Sequence, residues 1–269
     1  MFSFNRYVNL VVDDLRTDAK SQLVQLLATI GVVGAIVAFT AYNHRYFYTY
    51  LDHYGNELDY MIPSEIGIFS IAIMIIGAMC GANMFNTLKN KTSRISYLTR
   101  PASDMEKYAS RFTIFIVLFP IIMLMGLEAI DILRNILTRL LVTDLVPGRV
   151  QFLTPSDLHD WQVVVVFASA YFSTQSLFAL GSTIWPKRAA VYTFLSLVVL
   201  TIAMSIWGAV LTDIFFSSDK TYGWDNTYDK ETVGNFWTAA FAAFSFLTCL
   251  INYTVAYFRF KEIEIIQRW

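Results

Sequence analysis

The chain has 269 residues, of which 56% are hydrophobic and only 15% charged, with a mean hydropathy of +0.49. A soluble domain carries roughly 25% charge, so composition places the chain in a membrane. The 20 Lys and Arg nearly balance 21 Asp and Glu, and the net charge of -1 supplies no bulk field for nucleic acid or acidic substrates.

The N-terminal segment 1–21 repeats Phe4, Val8, Val11, Val12 and Leu15 at helical spacing, with Asp13, Asp14, Arg16 and Asp18 on the other faces. This pattern predicts an amphipathic helix lying in the membrane interface. Two uses fit it: an anchor steadying the first span, or a contact for a cytoplasmic partner. The segment lacks the short apolar core and small-residue cleavage site of a secretory signal, so it is expected to be retained.

Six apolar runs follow, at about 22–42, 66–86, 112–133, 162–184, 189–212 and 233–258. Each is long enough to cross a hydrocarbon core of roughly 30 Å. Between the first two, "YNHRYFYTYLDHYGNELDYMIPSE" is dense in Tyr. It reads as an interfacial aromatic belt or as a surface that handles a substrate or partner. His44, Asp52, His53, Glu57 and Asp59 crowd there, but their spacing fits no metal template, and no metal is expected. In the second span Gly77 and Gly81 lie four apart, the spacing that lets helix backbones approach closely, within one subunit or between two. Cys80 and Cys249 sit in apolar runs and read as small buried hydrophobes.

Segment 87–111 holds six cations: Lys89, Lys91, Arg94, Arg100, Lys107 and Arg111. Its first part, with Phe85, Leu88, Ile95 and Leu98 around Lys89, Lys91 and Arg94, suits one short amphipathic helix or helical turn. Pro101 then disfavours helix at Arg100. Ser103 followed by Glu106 forms a capping box, so a new helix starts at Ser103 or Asp104 and meets no breaker before Pro120. It is therefore expected to run unbroken from the aqueous phase into the third span. Near the far end of that span, Glu128, Asp131, Arg134 and Arg139 cluster, and Asp131 and Arg134, three apart, can pair on one face.

Segment 133–161 is expected to begin as a helical extension and end in the turn "TPSDLHDW", with a cap at Ser156 or Asp157. The fourth span carries Ser169, Ser173, Thr174, Gln175, Ser176, Ser182 and Thr183, which serve either packing between helices or a wet cavity. The fifth and sixth spans flank "FFSSDKTYGWDNTYDKETVGNFW", a second segment rich in aromatics and acids.

Orientation follows from the cations. Fourteen of the 20 lie in the N-terminal segment, segment 87–111, the turn "WPKRA" and the C-terminal tail, whereas fourteen of the 21 acids lie in the alternate segments. The positive-inside rule puts both termini in the cytoplasm. The expected fold is thus all-α: a single polytopic transmembrane domain of six helices plus the N-terminal interfacial helix.

Topology alone needs few cations, as "WPKRA" illustrates with two. A capped loop of this length in segment 87–111 suggests that something docks there. The run Pro101, Ala102, Ser103, Glu106, Lys107, Ser110, Arg111 after a cation-rich loop resembles the PAS-x-x-EK-x-x-SR signature of bacterial ABC-2 type ABC transporter permeases. The chain departs from that pattern at Arg100, where a leucine is usual. The resemblance implies an exporter subunit of the bacterial inner membrane, paired as a homodimer or with a similar permease, whose loop contacts a separate ABC ATPase subunit. Lys89, Lys91, Arg94, Arg100, Ser103, Glu106, Lys107 and Arg111 would make that contact. No G-x-x-x-x-G-K-[ST] is present, so ATP and Mg would sit on the partner, and the chain itself is expected to hold no cofactor and to catalyse nothing. A different class fits the same loop: a non-transporting membrane scaffold or sensor that docks another cytoplasmic protein. An ion channel fits less well, since no charge ring or Gly-rich filter segment is visible.

Overall fold

The computed structural model describes residues 2–50, 62–141, 161–215 and 230–266, and all of its regular structure is helical. The helices are α1 (Phe4–Tyr50), α2 (Ile62–Asn83), α3 (Lys91–Leu98), α4 (Asp104–Phe112), α5 (Phe119–Leu141), α6 (Trp161–Ile184), α7 (Ala189–Phe215) and α8 (Lys230–Ile266). Six stretches are long and apolar enough to span a bilayer, in the order expected: Leu23–Asn43, Ser64–Asn83, Asp104–Leu140, Trp161–Ile184, Ala189–Val210 and Asn235–Ile263. The chain is a multi-pass helical membrane protein. Residues 51–61 and 216–229 of the two aromatic segments, with Asp52, His53, Glu57 and Asp59 among them, and also His159 and the turn with Ser156 and Asp157, lie outside the described residues.

The chain forms two compact units, the first of residues 1–80 and 101–161, the second of 81–100 and 162–269. The chain passes between them three times, after Cys80, after Arg100 and after Trp161.

In the first unit α1 runs without a break through 47 residues, joining the amphipathic segment to the first span. Nothing between Phe4 and Ile30 is Gly or Pro, so no residue there interrupts the backbone ladder. Val33 and Val37 of α1 pack with Phe69, Ala72 and Ile76 of α2 and with Phe119, Met123, Leu127 and Ile130 of α5. The helix that starts at α4 also continues into its span as expected. It passes through a π-helical stretch, Thr113–Leu118, where the Phe119 N–H donates to the Ile114 carbonyl. That widening lies just before Pro120, which has no N–H to give and whose ring crowds a carbonyl four residues back.

In the second unit, Phe85 stacks on Phe260 of α8 at 5.1 Å between ring centres, and Tyr97 of α3 meets the same ring edge-on at 6.4 Å. The loop before α4 therefore has its own aromatic footing. A polar residue of α6 joins it to α8, where Asn252 donates to Ser176 Oγ at 3.0 Å, and Ser182 Oγ donates within α6 to the Ala179 carbonyl at 2.6 Å. By contrast, Leu200, Ile202, Met204, Ile206 and Trp207 of α7 are all more than half exposed, as befits a helix bathed in lipid. Both cysteines are free and buried.

Gly81 is where α2 meets α6. A Cβ there would collide with the Gln175 carbonyl and lie 2.9 Å from the Ala179 nitrogen, both backbone atoms that cannot swing aside. Gly77, one turn earlier, is buried as well. The small-residue spacing thus serves contact inside the subunit at Gly81. Gly81→Ala is expected to destabilise the protein by about 1–3 kcal/mol through overpacking. Gly67→Ala on the same helix, with open space around it, should instead be neutral or stabilising by up to about 1 kcal/mol from propensity. Thermal unfolding of the two variants in detergent separates packing from propensity.

Candidate functional site

The residues of the signature converge on the start of α1. Ser103 is the N-cap of α4: its Oγ accepts from the Glu106 N–H at 3.3 Å, while Glu106 Oε2 accepts from the Ser103 N–H at 2.8 Å. The predicted capping box is therefore formed. Glu106 does more than the sequence suggests, because its second oxygen accepts from the backbone N–H of Ser3 at 2.6 Å and from Arg6 at 3.2 Å. Ser3 stands at the N-terminus of α1, its carbonyl taking the first helical bond from Tyr7. One carboxylate thus satisfies orphan N–H groups at two helix starts, both of which carry positive partial charge.

One and two turns further along, the same faces meet again. Tyr7 and Thr113 share a hydroxyl hydrogen bond of 2.6 Å. Ser110 Oγ donates to Asp14 Oδ2 at 2.9 Å, and Arg111 pairs with Asp14 Oδ1 at 3.3 Å. Both charges are almost wholly buried, at 0% exposed for Asp14 and 1% for Arg111. On α1 the contacting residues Ser3, Tyr7, Leu10 and Asp14 follow a 4-3-4 spacing, one continuous helix face. On α4 the face is Glu106, Lys107, Ser110 and Arg111, all buried.

The apolar stripe of α1 faces outward, as an interfacial helix requires, and the feature the sequence did not reveal is the burial of Asp14. The stripe of Phe4, Val8 and Val12 points outward, with Phe4 69% exposed, while the supposedly polar side at Asp14 is the buried one. In a membrane protein an exposed apolar stripe meets lipid, and paired charge is what the interior holds.

The eight residues expected at a partner contact divide accordingly. Glu106, Lys107 and Arg111 are buried in the chain, and Ser103 caps its own helix, so their order in the sequence reflects internal docking of α4 on α1. Arg94 is half-buried, its Nε donating to the Leu88 carbonyl at 3.1 Å, and Arg100 lies over the Tyr97 ring at 5.3 Å. Lys89 and Lys91 are exposed. Between them and the end of α3 stands Ile95, 53% exposed, with Tyr97 taking the buried place that sequence periodicity gives to Ile95.

No known family, curated protein or solved structure matches the chain.

A second charged cluster lies at the other end of α5. Arg134 donates through Nε and NH2 to Asp131 Oδ1 at 3.1 and 2.8 Å, the predicted pair. Its Nε also lies 2.6 Å from Glu65 Oε2 of α2, although the N–H is aimed at Asp131, so Glu65 is held by charge. Asn135 adds a donor to Asp131 at 3.2 Å. All four side chains are buried, whereas Glu128 and Arg139 are exposed.

Proposed function

We propose that this chain is the membrane-spanning permease subunit of an ATP-driven exporter of the ABC-2 kind, located in a bacterial inner membrane. It would work with a separate ABC ATPase and with a second permease, identical or similar. The observation that carries this reading is the mechanical continuity of α4 with the third span, combined with the fastening of α4 to the N-terminal helix. A push on the cytoplasmic segment moves a rigid element that ends inside the membrane. The exposed residues Lys89, Lys91 and Ile95, two point charges beside an apolar side chain, supply the surface a partner would touch. Arg94 and Arg100, anchored at its edge, border it. ATP and Mg bind the partner, and its closure is passed through residues 87–111 to α4 and α5.

Co-purification tests this reading. The tagged full-length protein in mild detergent at moderate salt is expected to recover an ABC ATPase subunit. Glu106→Lys would break internal contacts, so the informative variant is Lys89→Glu with Lys91→Glu. Reversing two charges at a complementary surface is expected to weaken association by roughly tenfold or more. Recovery of the protein alone, or with a partner that has no nucleotide site, would overturn the exporter reading and favour a scaffold or sensor subunit.

A further inference from the structure

The second unit contains a cavity of about 400 Å³ that none of the contacts above explains. It opens at the turn between α6 and α7, where the fourth span ends at Ile184 and the fifth begins at Ala189. Three cations line it: Arg94 from α3, and Lys187 and Arg188 from the turn itself. Among the described residues no acid lines it. Apart from Thr183 the rest of the wall is apolar or aromatic, including Ile184 and the rings of Trp185 and Tyr192, which stand 6.2 Å apart. Lys187 and Arg188 are exposed, and the bond from Arg94 Nε to the Leu88 carbonyl fixes that guanidinium stem against the wall.

We infer that this cavity binds the phosphodiester headgroup of an anionic glycerophospholipid. Three cations lining one cavity suit a phosphate, which Arg recognises through its planar fork and Lys as a point charge. A soluble phosphate compound would share that chemistry, but the setting favours a lipid. The cavity lies at the membrane boundary, Trp and Tyr belong at headgroup depth, and Ile184 is 46% exposed beside the mouth, where glycerol and the first acyl carbons would lie. Basic pockets between spans on the positive side of a membrane protein are suited to such headgroups. The site stands whether or not an ATPase docks on the same chain.

Binding is measured on the full-length protein in neutral detergent, with phosphatidylglycerol titrated in and lipid-bound species counted by native mass spectrometry. Phosphatidylcholine and glycerol 3-phosphate form the other two arms. Lys187→Gln with Arg188→Gln is expected to weaken phosphatidylglycerol binding by roughly tenfold or more, as loss of two near-surface cations implies. The charge-preserving variant, Lys187→Arg with Arg188→Lys, should bind as the parent does, which separates loss of charge from loss of folding. Lys89→Gln with Lys91→Gln, outside the cavity, should also leave binding intact. Equal binding of phosphatidylcholine, or unchanged binding in the double Gln variant, would overturn the inference. Displacement of the lipid by glycerol 3-phosphate at matched concentration would assign the cavity to a soluble phosphate instead and overturn it equally.

Discussion

Arg111→Met is expected to destabilise the protein by about 3–5 kcal/mol, the range for removing one member of a buried ion pair. The cost arises because Asp14 stays where it is. With Arg111 gone, a carboxylate that is fully buried keeps the Ser110 hydroxyl but loses its 3.3 Å cation. The N-terminal part of α1 should then separate from α4, which a protease acting on the purified protein in detergent would report as faster cleavage before Lys20. The double variant Asp14→Asn with Arg111→Met removes both charges and leaves Ser110 an amide partner. It should recover much of the stability, because the penalty lies in the unpaired charge. If Arg111→Met unfolds at the parent's temperature, α4 and α1 are not held as described.

The second large effect is expected at Arg134. One guanidinium here offsets two buried carboxylates, Glu65 from α2 and Asp131 from its own helix. Arg134→Met removes the charge that both acids share and should cost about 3–5 kcal/mol. Arg134→Lys keeps the charge but has no fork with which to meet two partners, and an intermediate loss of about 1–2 kcal/mol is expected. Arg139→Met is the control, since Arg139 is exposed one turn further along and should change stability by no more than about 0.5 kcal/mol. Unfolding midpoints of the three variants rank these expectations. A value for Arg134→Met equal to that for Arg139→Met would show that the cluster does not hold α2 to α5.

Both clusters show what sequence can and cannot convey. The spans were legible because a hydrocarbon core imposes length and apolarity on every crossing. The box of Ser103 and Glu106 and the pair of Asp131 and Arg134 were legible because their partners lie three residues apart, and helical geometry alone brings them together. Asp14 with Arg111 and Glu65 with Arg134 were not, since 97 and 69 positions separate them and only packing chooses the pairing. A signal existed in α1: Ser3, Tyr7, Leu10 and Asp14 share one face. It was hidden because Asp14 lies among Asp13, Arg16 and Asp18, and an interfacial helix is expected to turn such charges to water.

The signature run was misleading for a related reason. Glu106, Lys107 and Arg111 look like a charged docking surface when read as a string, yet at helical spacing they turn to α1 together. Under the exporter reading proposed above, a partner would meet the stretch before Pro101, above all the exposed Lys89 and Lys91.

The most direct test of that assignment is site-specific photocrosslinking in intact membranes, with a photoreactive amino acid placed at Lys91 and, in a separate variant, at Lys107. The account predicts that Lys91 forms an adduct with a protein carrying an ATP-binding cassette and that Lys107, buried against α1, forms none with any partner. An adduct at Lys107 and none at Lys91, or a Lys91 adduct to a protein without a nucleotide site, would contradict it.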